Sequence, residues 1–349
     1  AAEARVLVNQ QWVLAERPES YPQPSHFRRV RGDIPQLQSG KALVKTLYLG
    51  VAPVMLRYMR NDTAFEAPLE IGDLMMGRGV AQVLKSDCPE LPQGSIVQAR
   101  LGWQEYALID NAQRPTPFLL EHHDLPYSHG LSSLGPTGFT ALIGLREIGA
   151  LKYDDKILVS GAAGGVGSHV AQIAKALGAS RVVGIAGGAE KCRLLVEQLG
   201  YDAAIDYKGS DLAEALQHHF PEGIDLFYDN VGGPVLDEVI ARIRRRARIV
   251  ICGSISEYLL PAEAQHRFKN LQQLGRQDAR MEAFFVFDYG DQYSAYASEL
   301  ASWIRAGLLQ PKEDISRGIE SLPGALMDLY TGANIGARMV HVADPVSGV

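Results

Sequence analysis

Residues 155–168 read DKILVSGAAGGVGS, and the eleven residues that follow, HVAQIAKALGA, are helix-forming. A short β-branched apolar run leads into glycines at Gly161, Gly164, Gly165 and Gly167. Glycine lets a chain turn sharply between strand and helix. It also removes the Cβ atoms that would hold a pyrophosphate away from the helix N-terminus, where N–H groups and the macrodipole favour negative charge. The spacing is Gly-x-x-Gly-x-x-Gly rather than the commoner Gly-x-Gly-x-x-Gly, and glycine-rich turns are abundant, so the motif needs its context.

That context is an alternation of strand-like and helix-like segments. SRVVGIAG (180–187), KCRLLVEQLG, DAAIDY, GIDLFYDNVGG, RARIVICGS and RMEAFFVF (280–287) continue the pattern downstream. Six β-like runs separated by helical patterns predict an α/β fold with a Rossmann-type, doubly wound, parallel six-stranded sheet and ligand at the carboxyl ends of its strands.

Before the glycine motif the texture differs. Residues 1–125 are rich in proline and glycine with short alternating runs such as KALVKTLYLGV and SIVQARLGWQEYALI, the pattern of an irregular mainly-β domain. An amphipathic helix at DQYSAYASELASWIRAGLLQP and a last strand, ARMVHVAD, have no sheet of their own. The expected division is therefore a first domain of residues 1–125 completed by 296–349, and a nucleotide-binding domain of residues 126–295.

A chain of 349 residues that is 46% hydrophobic can build two cores. A net charge of -6, with no basic block interleaved with aromatics, gives no sign of nucleic acid; the cluster RIRRRAR (242–248) reads as a solvated helix end running into a strand. No apolar run reaches the length of a membrane span, and the first 30 residues lack a signal-peptide core. Cys88, Cys192 and Cys252 are widely spaced and odd in number, which suits a reducing, cytoplasmic setting rather than a disulfide framework. The adjacent pairs His122-His123 and His218-His219 read as surface histidines.

The end of the second strand of such a sheet selects the nucleotide, because an acid there takes the ribose hydroxyls of NAD. Here the strand ends in GIAGGAEK, with glycine and alanine at its tip. A 2′-phosphate can enter, and Lys191 at the start of the next helix can pair with it, with Arg193 as a second cation. NADPH is the expected cofactor; Glu190 is the residue that could instead serve as a ribose acid.

In order along the chain, GVGS, AGGAEK, YDNVGG, CGSISEY and FFVFDYG resemble the zinc-independent medium-chain dehydrogenases/reductases, in the group of prostaglandin and leukotriene reductases, alkenal double-bond reductases and curcumin reductases. RYMR, PLEIGDLMMGRGVAQV and GFTAL upstream, and TGANIGARMV downstream, extend the resemblance over nearly the whole chain. It implies a GroES-like first domain and a homodimer joined through the sixth strand, which is otherwise an exposed edge. It further implies that Gly165, Val166, Gly167 and Ser168 hold the pyrophosphate and that Lys191 and Tyr207 bind the 2′-phosphate. Asn230, the Cys252–Tyr258 loop with Ser254 and Ser256, Phe285, Val286 and Asn334 would line the nicotinamide half, with Thr140 close by.

Some of these residues have plainer explanations. Cys252 at the end of an apolar strand reads as a packed thiol rather than a nucleophile. Asn334, set between glycines, also suits a left-handed turn. Tyr258 and Asn230 stand just past strand ends, where ligands bind, which favours a role in the site.

Zinc alcohol dehydrogenases of similar architecture need Gly-His-Glu and cysteine ligands, so that the metal polarises the alkoxide. The corresponding place here, LMMGRGV, has no His, Glu or Cys, and no metal site is expected. The expected reaction is hydride delivery from NADPH to the β-carbon of an α,β-unsaturated aldehyde or ketone. Tyr258, with Tyr58 as a second donor, would stabilise the enolate, and either tyrosine or water would protonate the α-carbon. Quinone reduction is one alternative. A NADPH-binding sensor or structural protein with little turnover is the other. Three departures from the group's pattern fall near the substrate: Pro136-Thr137-Gly138 before Phe139, Leu56-Arg57 before Tyr58, and Phe65 where a tyrosine is usual.

Overall fold

The computed structural model describes residues 8–62, 67–258, 260–332 and 334–349; Phe65 lies outside them. The chain forms two units. The first comprises the chain up to Leu131 with Asp314–Ala333 and Arg338–Val349, and the second comprises Ser132–Glu313 with Asn334–Ala337.

The first unit is built from strands. β1 (Val8–Leu14) and β2 (Phe27–Asp33) form an antiparallel pair in register Val8↔Asp33. β3 (Ala42–Gly50) is the spine of a separate sheet and pairs with β4 (Arg78–Ser86) and with β6 (Tyr106–Ile109). β5 (Ile96–Arg100) and β7 (Phe118–Leu119) extend the far side. The β3–β4 hairpin is interrupted by the short helix α1 (Met55–Arg60), which stops at Asn61 in the left-handed conformation. Leu14, Val44, Leu49, Met59, Met75 and Trp103 share one buried cluster.

The second unit runs α2 (Pro136–Ile143), β8 (Ile157–Val159), α3 (Gly167–Ala176), β9 (Val182–Ala186), α4 (Ala189–Gln198), β10 (Ala203–Asp206), α5 (Leu212–His219), β11 (Ile224–Asp229), α6 (Gly233–Ile240), β12 (Ile243–Ile251), α7 (Gln272–Arg276), β13 (Arg280–Ala283) and α8 (Tyr293–Arg305). Its sheet has the order β10-β9-β8-β11-β12-β13, and every pairing is parallel. Leu158, Val183, Ile185, Ile205, Phe227 and Ile249 meet in its core, each burial contributing about 1.5–3 kcal/mol. The winding direction reverses between β8 and β11. A crevice therefore opens at their carboxyl ends, where the glycine turn and Asn230 lie.

Three expectations are revised. The sixth strand is shorter than RMEAFFVF: β13 ends at Ala283, and Phe285 and Val286 lead into a 3-10 turn. The RIRRRAR cluster is not a helix end, because β12 starts at Ile243. Three of its arginines are paired, Arg242 locally with Glu238 at 2.8 Å, Arg244 with Asp225 at 3.3 Å and Arg246 with Asp278 at 2.9 Å. Arg248 is buried, donating to the Asp155 carboxylate and, at 2.7 Å, to the Gly149 carbonyl.

The expected boundary at residue 296 falls inside α8. That helix sets Tyr293 and Tyr296 against Phe139 of α2, with ring centroids 4.7 and 6.1 Å apart, so it belongs with the second unit. The first unit is completed by β14 (Glu313–Arg317), α9 (Leu322–Thr331) and β15 (Ala337–His341) instead. β15 pairs antiparallel with β3, Met339 opposite Gly50.

Candidate functional site

The glycine turn contains two kinds of glycine. Gly161 has φ +56°, and a Cβ on Gly167 would stand 2.0 Å from the Gly161 carbonyl oxygen, so the turn cannot close without them. Gly164 and Gly165 have no such internal need. A Cβ on Gly164 would come no closer than 3.4 Å to any other atom, and one on Gly165 would find ordinary contacts at 3.7 and 3.8 Å with Thr137 and Ala337. Their bare backbone leaves room for a phosphate to approach the start of α3, where Val166 offers no side-chain cap and the first turn carries no acid. The turn thus fits the pyrophosphate of a dinucleotide.

Ser168 is 1% exposed, and its hydroxyl donates to the Gly165 carbonyl at 2.9 Å. Its side chain therefore serves the shape of the turn. His169, fully buried, joins it: Nδ1 lies 2.7 Å from the same carbonyl and Nε2 lies 2.8 Å from the Ser133 hydroxyl. Sequence reasoning passed over His169. The available signal was a histidine near the start of α3, among the residues that the helix buries.

At the nucleotide end, Gly188 caps α4 with φ +98° and donates its N–H to Asp206 Oδ1 at 2.9 Å. Lys191 follows on the first turn of α4. Partial burial, and then the charge of Lys208, pull its ammonium below the ordinary lysine value. Tyr207 is 48% exposed, with its ring folded against Gly187. Glu190 and Arg193 pair at 2.6 Å, and Arg193 also meets Glu197 at 2.5 Å. The alternative ribose acid and the second expected cation thus engage one another.

At the other end of the crevice, the Asn230 side chain donates to the Ser160 carbonyl at 2.8 Å. A Cβ on Gly161 would stand 3.1 Å from Asn230 Cβ, and one on Gly253 would stand 3.3 Å from the Asn230 carbonyl and 3.5 Å from Tyr258 Oη. Gly161, Asn230, Gly253 and Tyr258 thus converge at the tips of β8, β11 and β12. The Ser254 N–H points at Tyr258 Oη from 3.5 Å, and the Ser256 hydroxyl donates to the Val231 carbonyl at 2.8 Å, which ties this loop to the Asn230 turn. Burial pushes the Cys252 thiol up to about 12, so it stays protonated at neutral pH.

Thr140, on α2, accepts a hydrogen bond from buried Tyr228 at its carbonyl, 2.8 Å away. Asn334 is buried, and the left-handed conformations beside it fall to Gly332 and Gly336. The Gly336 N–H donates to the Ala163 carbonyl at 2.7 Å, which sets the Asn334 segment against the glycine turn. Phe285 is 60% exposed, and the Val286 carbonyl accepts from the Tyr293 hydroxyl at 2.9 Å.

Tyr58 belongs to the first unit. It lines a cavity of about 340 Å³ there, together with Leu69, Met75, Met76, Arg100 and Gln113. Met75 and Met76 occupy the LMMGRGV segment. Among the described residues, no group of three His, Cys, Asp or Glu side chains is placed to hold a metal ion.

Two family models match the chain. One, an N-terminal domain of oxidoreductases, covers residues 10–116, and the other, described as a zinc-binding dehydrogenase, covers residues 165–303. A putative NADP-dependent oxidoreductase of Bacillus subtilis is 41% identical, over 96% of this chain and 98% of that protein. The NADPH-dependent curcumin reductase of Escherichia coli is 36% identical over 96% and 97%. The NADP-dependent 2-alkenal reductase of Nicotiana tabacum is 38% identical over 97% and 99%. A crystal structure of CurA from Vibrio vulnificus in complex with NADPH superposes with a TM-score of 0.88 at 36% identity, covering 96% of this chain and all of that one. With this similarity running nearly end to end, the chain belongs to the zinc-independent medium-chain dehydrogenases/reductases, an oxidoreductase family, in the group that holds the curcumin and 2-alkenal reductases.

Proposed function

We propose that the protein is an NADPH-dependent reductase of the carbon–carbon double bond in α,β-unsaturated aldehydes and ketones. The observation that carries this reading is the convergence of Asn230, Gly253 and Tyr258 at the strand tips of a crevice whose glycine turn has room for a dinucleotide phosphate. The end-to-end similarity to curcumin and 2-alkenal reductases supports the same substrate class.

Gly164 and Gly165 would admit the pyrophosphate, Lys191 and Tyr207 the adenosine 2′-phosphate, and Asn230, Ser254, Phe285 and Asn334 the nicotinamide half. The bound cofactor would supply a hydride to the β-carbon of the substrate. The Tyr258 hydroxyl would donate a hydrogen bond to the carbonyl oxygen, strongest as enolate charge develops there, with Tyr58 as a second donor. The Cys252 thiol takes no part as a nucleophile. Cys88, Cys192 and Cys252 are unbridged, in keeping with a cytoplasmic protein.

The homodimer is part of this reading. Every residue of β13 is exposed, and among the described residues it pairs only with β12, so one side of its backbone is open to a second copy. Sedimentation or gel filtration of the intact chain as a dimer, and of Met281→Asp as a monomer, is the expected result. A wild-type monomer at working concentration rules it out.

The activity is tested by following NADPH oxidation with trans-2-alkenals, cyclic and open-chain enones, and quinones. Turnover on alkenals and enones with a saturated carbonyl product is expected. Turnover confined to quinones would make the protein a quinone reductase. Tight NADPH binding with no turnover on any of the three would make it a sensor or structural protein.

A further inference from the structure

We propose that Lys208 is a second, specificity-determining ligand of the 2′-phosphate of NADP(H), forming with Lys191 a two-cation clamp that Asp206 holds in place. The proposal rests on the NADPH reading above and adds a residue to it.

Two turns meet at this end of the sheet. The first follows β9 and carries Gly187, Gly188 and, on α4, Lys191; the second follows β10 and carries Tyr207 and Lys208. Asp206 Oδ1 accepts from the Gly188 N–H at 2.9 Å and from the Lys208 N–H at 3.0 Å, so one carboxylate oxygen joins both turns. These backbone bonds, first that from Gly188, hold the Asp206 carboxyl below the usual carboxylate range, so it stays ionised and bonded.

Lys208 is exposed, and its stem lies against Gly187. A Cβ on Gly187 would stand 2.9 Å from Lys208 Cε and from the Tyr207 ring, and 3.1 Å from the Tyr207 hydroxyl. Both side chains lie over the tip of β9, and Lys208 Nζ sits 5.9 Å from the Tyr207 ring centroid. A larger residue at position 187 would require the Lys208 stem and the Tyr207 ring to shift.

Charge supplies the second argument. Arg193 is engaged by Glu190 and Glu197, whereas neither Lys191 nor Lys208 has a carboxylate in salt-bridge reach among the described residues. After burial, the charge of Lys208 adds to the depression of the Lys191 ammonium, so the two cations stand close enough to share one anion. A phosphate monoester carries about −1.5 to −2 charges at neutral pH, which one lysine cannot balance and two can. NAD has no group at this point to use the second cation.

Calorimetric titration with NADP+, NAD+ and adenosine 2′-phosphate separates the possibilities, because it reads binding without turnover. Lys208→Ala is expected to weaken NADP+ and adenosine 2′-phosphate by about tenfold, equivalent to ~1.4 kcal/mol, and to leave NAD+ unchanged. Lys208→Arg should retain most of the affinity, and Asp206→Asn should show a selective loss like that of Lys208→Ala. NADP+ affinity kept within about twofold in Lys208→Ala, or equal losses for NADP+ and NAD+, would overturn the clamp alone. A wild-type protein that binds NAD+ as tightly as NADP+ would overturn the NADPH reading and the clamp with it.

Discussion

His169 and Ser133 meet at 2.8 Å in a fully buried hydrogen bond behind the phosphate turn. The Gly165 carbonyl, 2.7 Å from Nδ1, can only accept, so Nδ1 carries a proton, and in the neutral ring Nε2 accepts from the Ser133 hydroxyl. The ring thus braces the Gly165 peptide against the segment that leads into α2. Replacing His169 with leucine leaves the Ser133 hydroxyl without its partner and removes one of the two side-chain donors to the Gly165 carbonyl. Denaturant unfolding should show a loss of about 1–3 kcal/mol. Affinity for NADP+ and NAD+ should fall together, because the pyrophosphate is common to both. A stability loss with both affinities intact would confine His169 to packing.

Tyr258→Phe isolates the catalytic role assigned to its hydroxyl. The ring remains to fill the space beside Gly253, so NADP+ affinity should hold. The turnover number on a 2-alkenal should drop by roughly 100-fold, the scale of a lost proton donor. If turnover is unchanged, the enolate is stabilised elsewhere, and Tyr58→Phe becomes the comparison to make.

Cys252 sets an alkaline limit on stability. Its folded pKa, about 12, lies above the unfolded value of 9.0, so the folded state holds the proton more tightly over that interval. This contribution is complete below pH 9 and declines as the pH rises toward 12, where unfolding releases a proton that the native protein retains. Unfolding midpoints measured from pH 8 upward should fall faster in wild type than in Cys252→Ala. Alkylation by iodoacetamide at neutral pH should spare Cys252 in the native protein and label it after denaturation. Rapid native labelling would contradict the protonated thiol.

The Arg248–Asp155 pair makes a fourth prediction. Asp155→Ala strands a guanidinium inside the fold and should cost about 3–5 kcal/mol. The double variant Asp155→Leu, Arg248→Met should recover much of that loss, since replacing both partners removes the desolvation cost together with the attraction. Equal damage from the single and double variants would locate the effect in the Gly149 and Ala150 contacts of Arg248 instead.

What could be read from the chain and what could not divide along a physical line. The glycines at 161–167 and the six apolar runs belong to local patterns of period and turn chemistry, and they led to the parallel sheet and its crevice. Arg248 looked like one more member of a surface cluster, because its partner Asp155 is far away in sequence and only the folded sheet brings them together. The placement of α8 with the second unit was hidden for the same reason: its amphipathic face says that it packs, and only Phe139 says where. His169 escaped notice as one of nine histidines, since nothing local marks a ring that will be buried against Ser133. Lys208 was overlooked beside Tyr207 because its relation to Lys191 runs through the Asp206 carboxylate.

The two kinds of glycine in the phosphate turn make scaffold and socket chemically separable. Neither Gly164 nor Gly165 has a positive φ, and the fold has room for a methyl group at each. Gly165→Ala should therefore plug the socket from within while leaving the melting temperature near that of the parent. Such a variant would be a folded protein blind to its coenzyme, a control against which every effect of the bound dinucleotide on shape, stability or assembly can be measured.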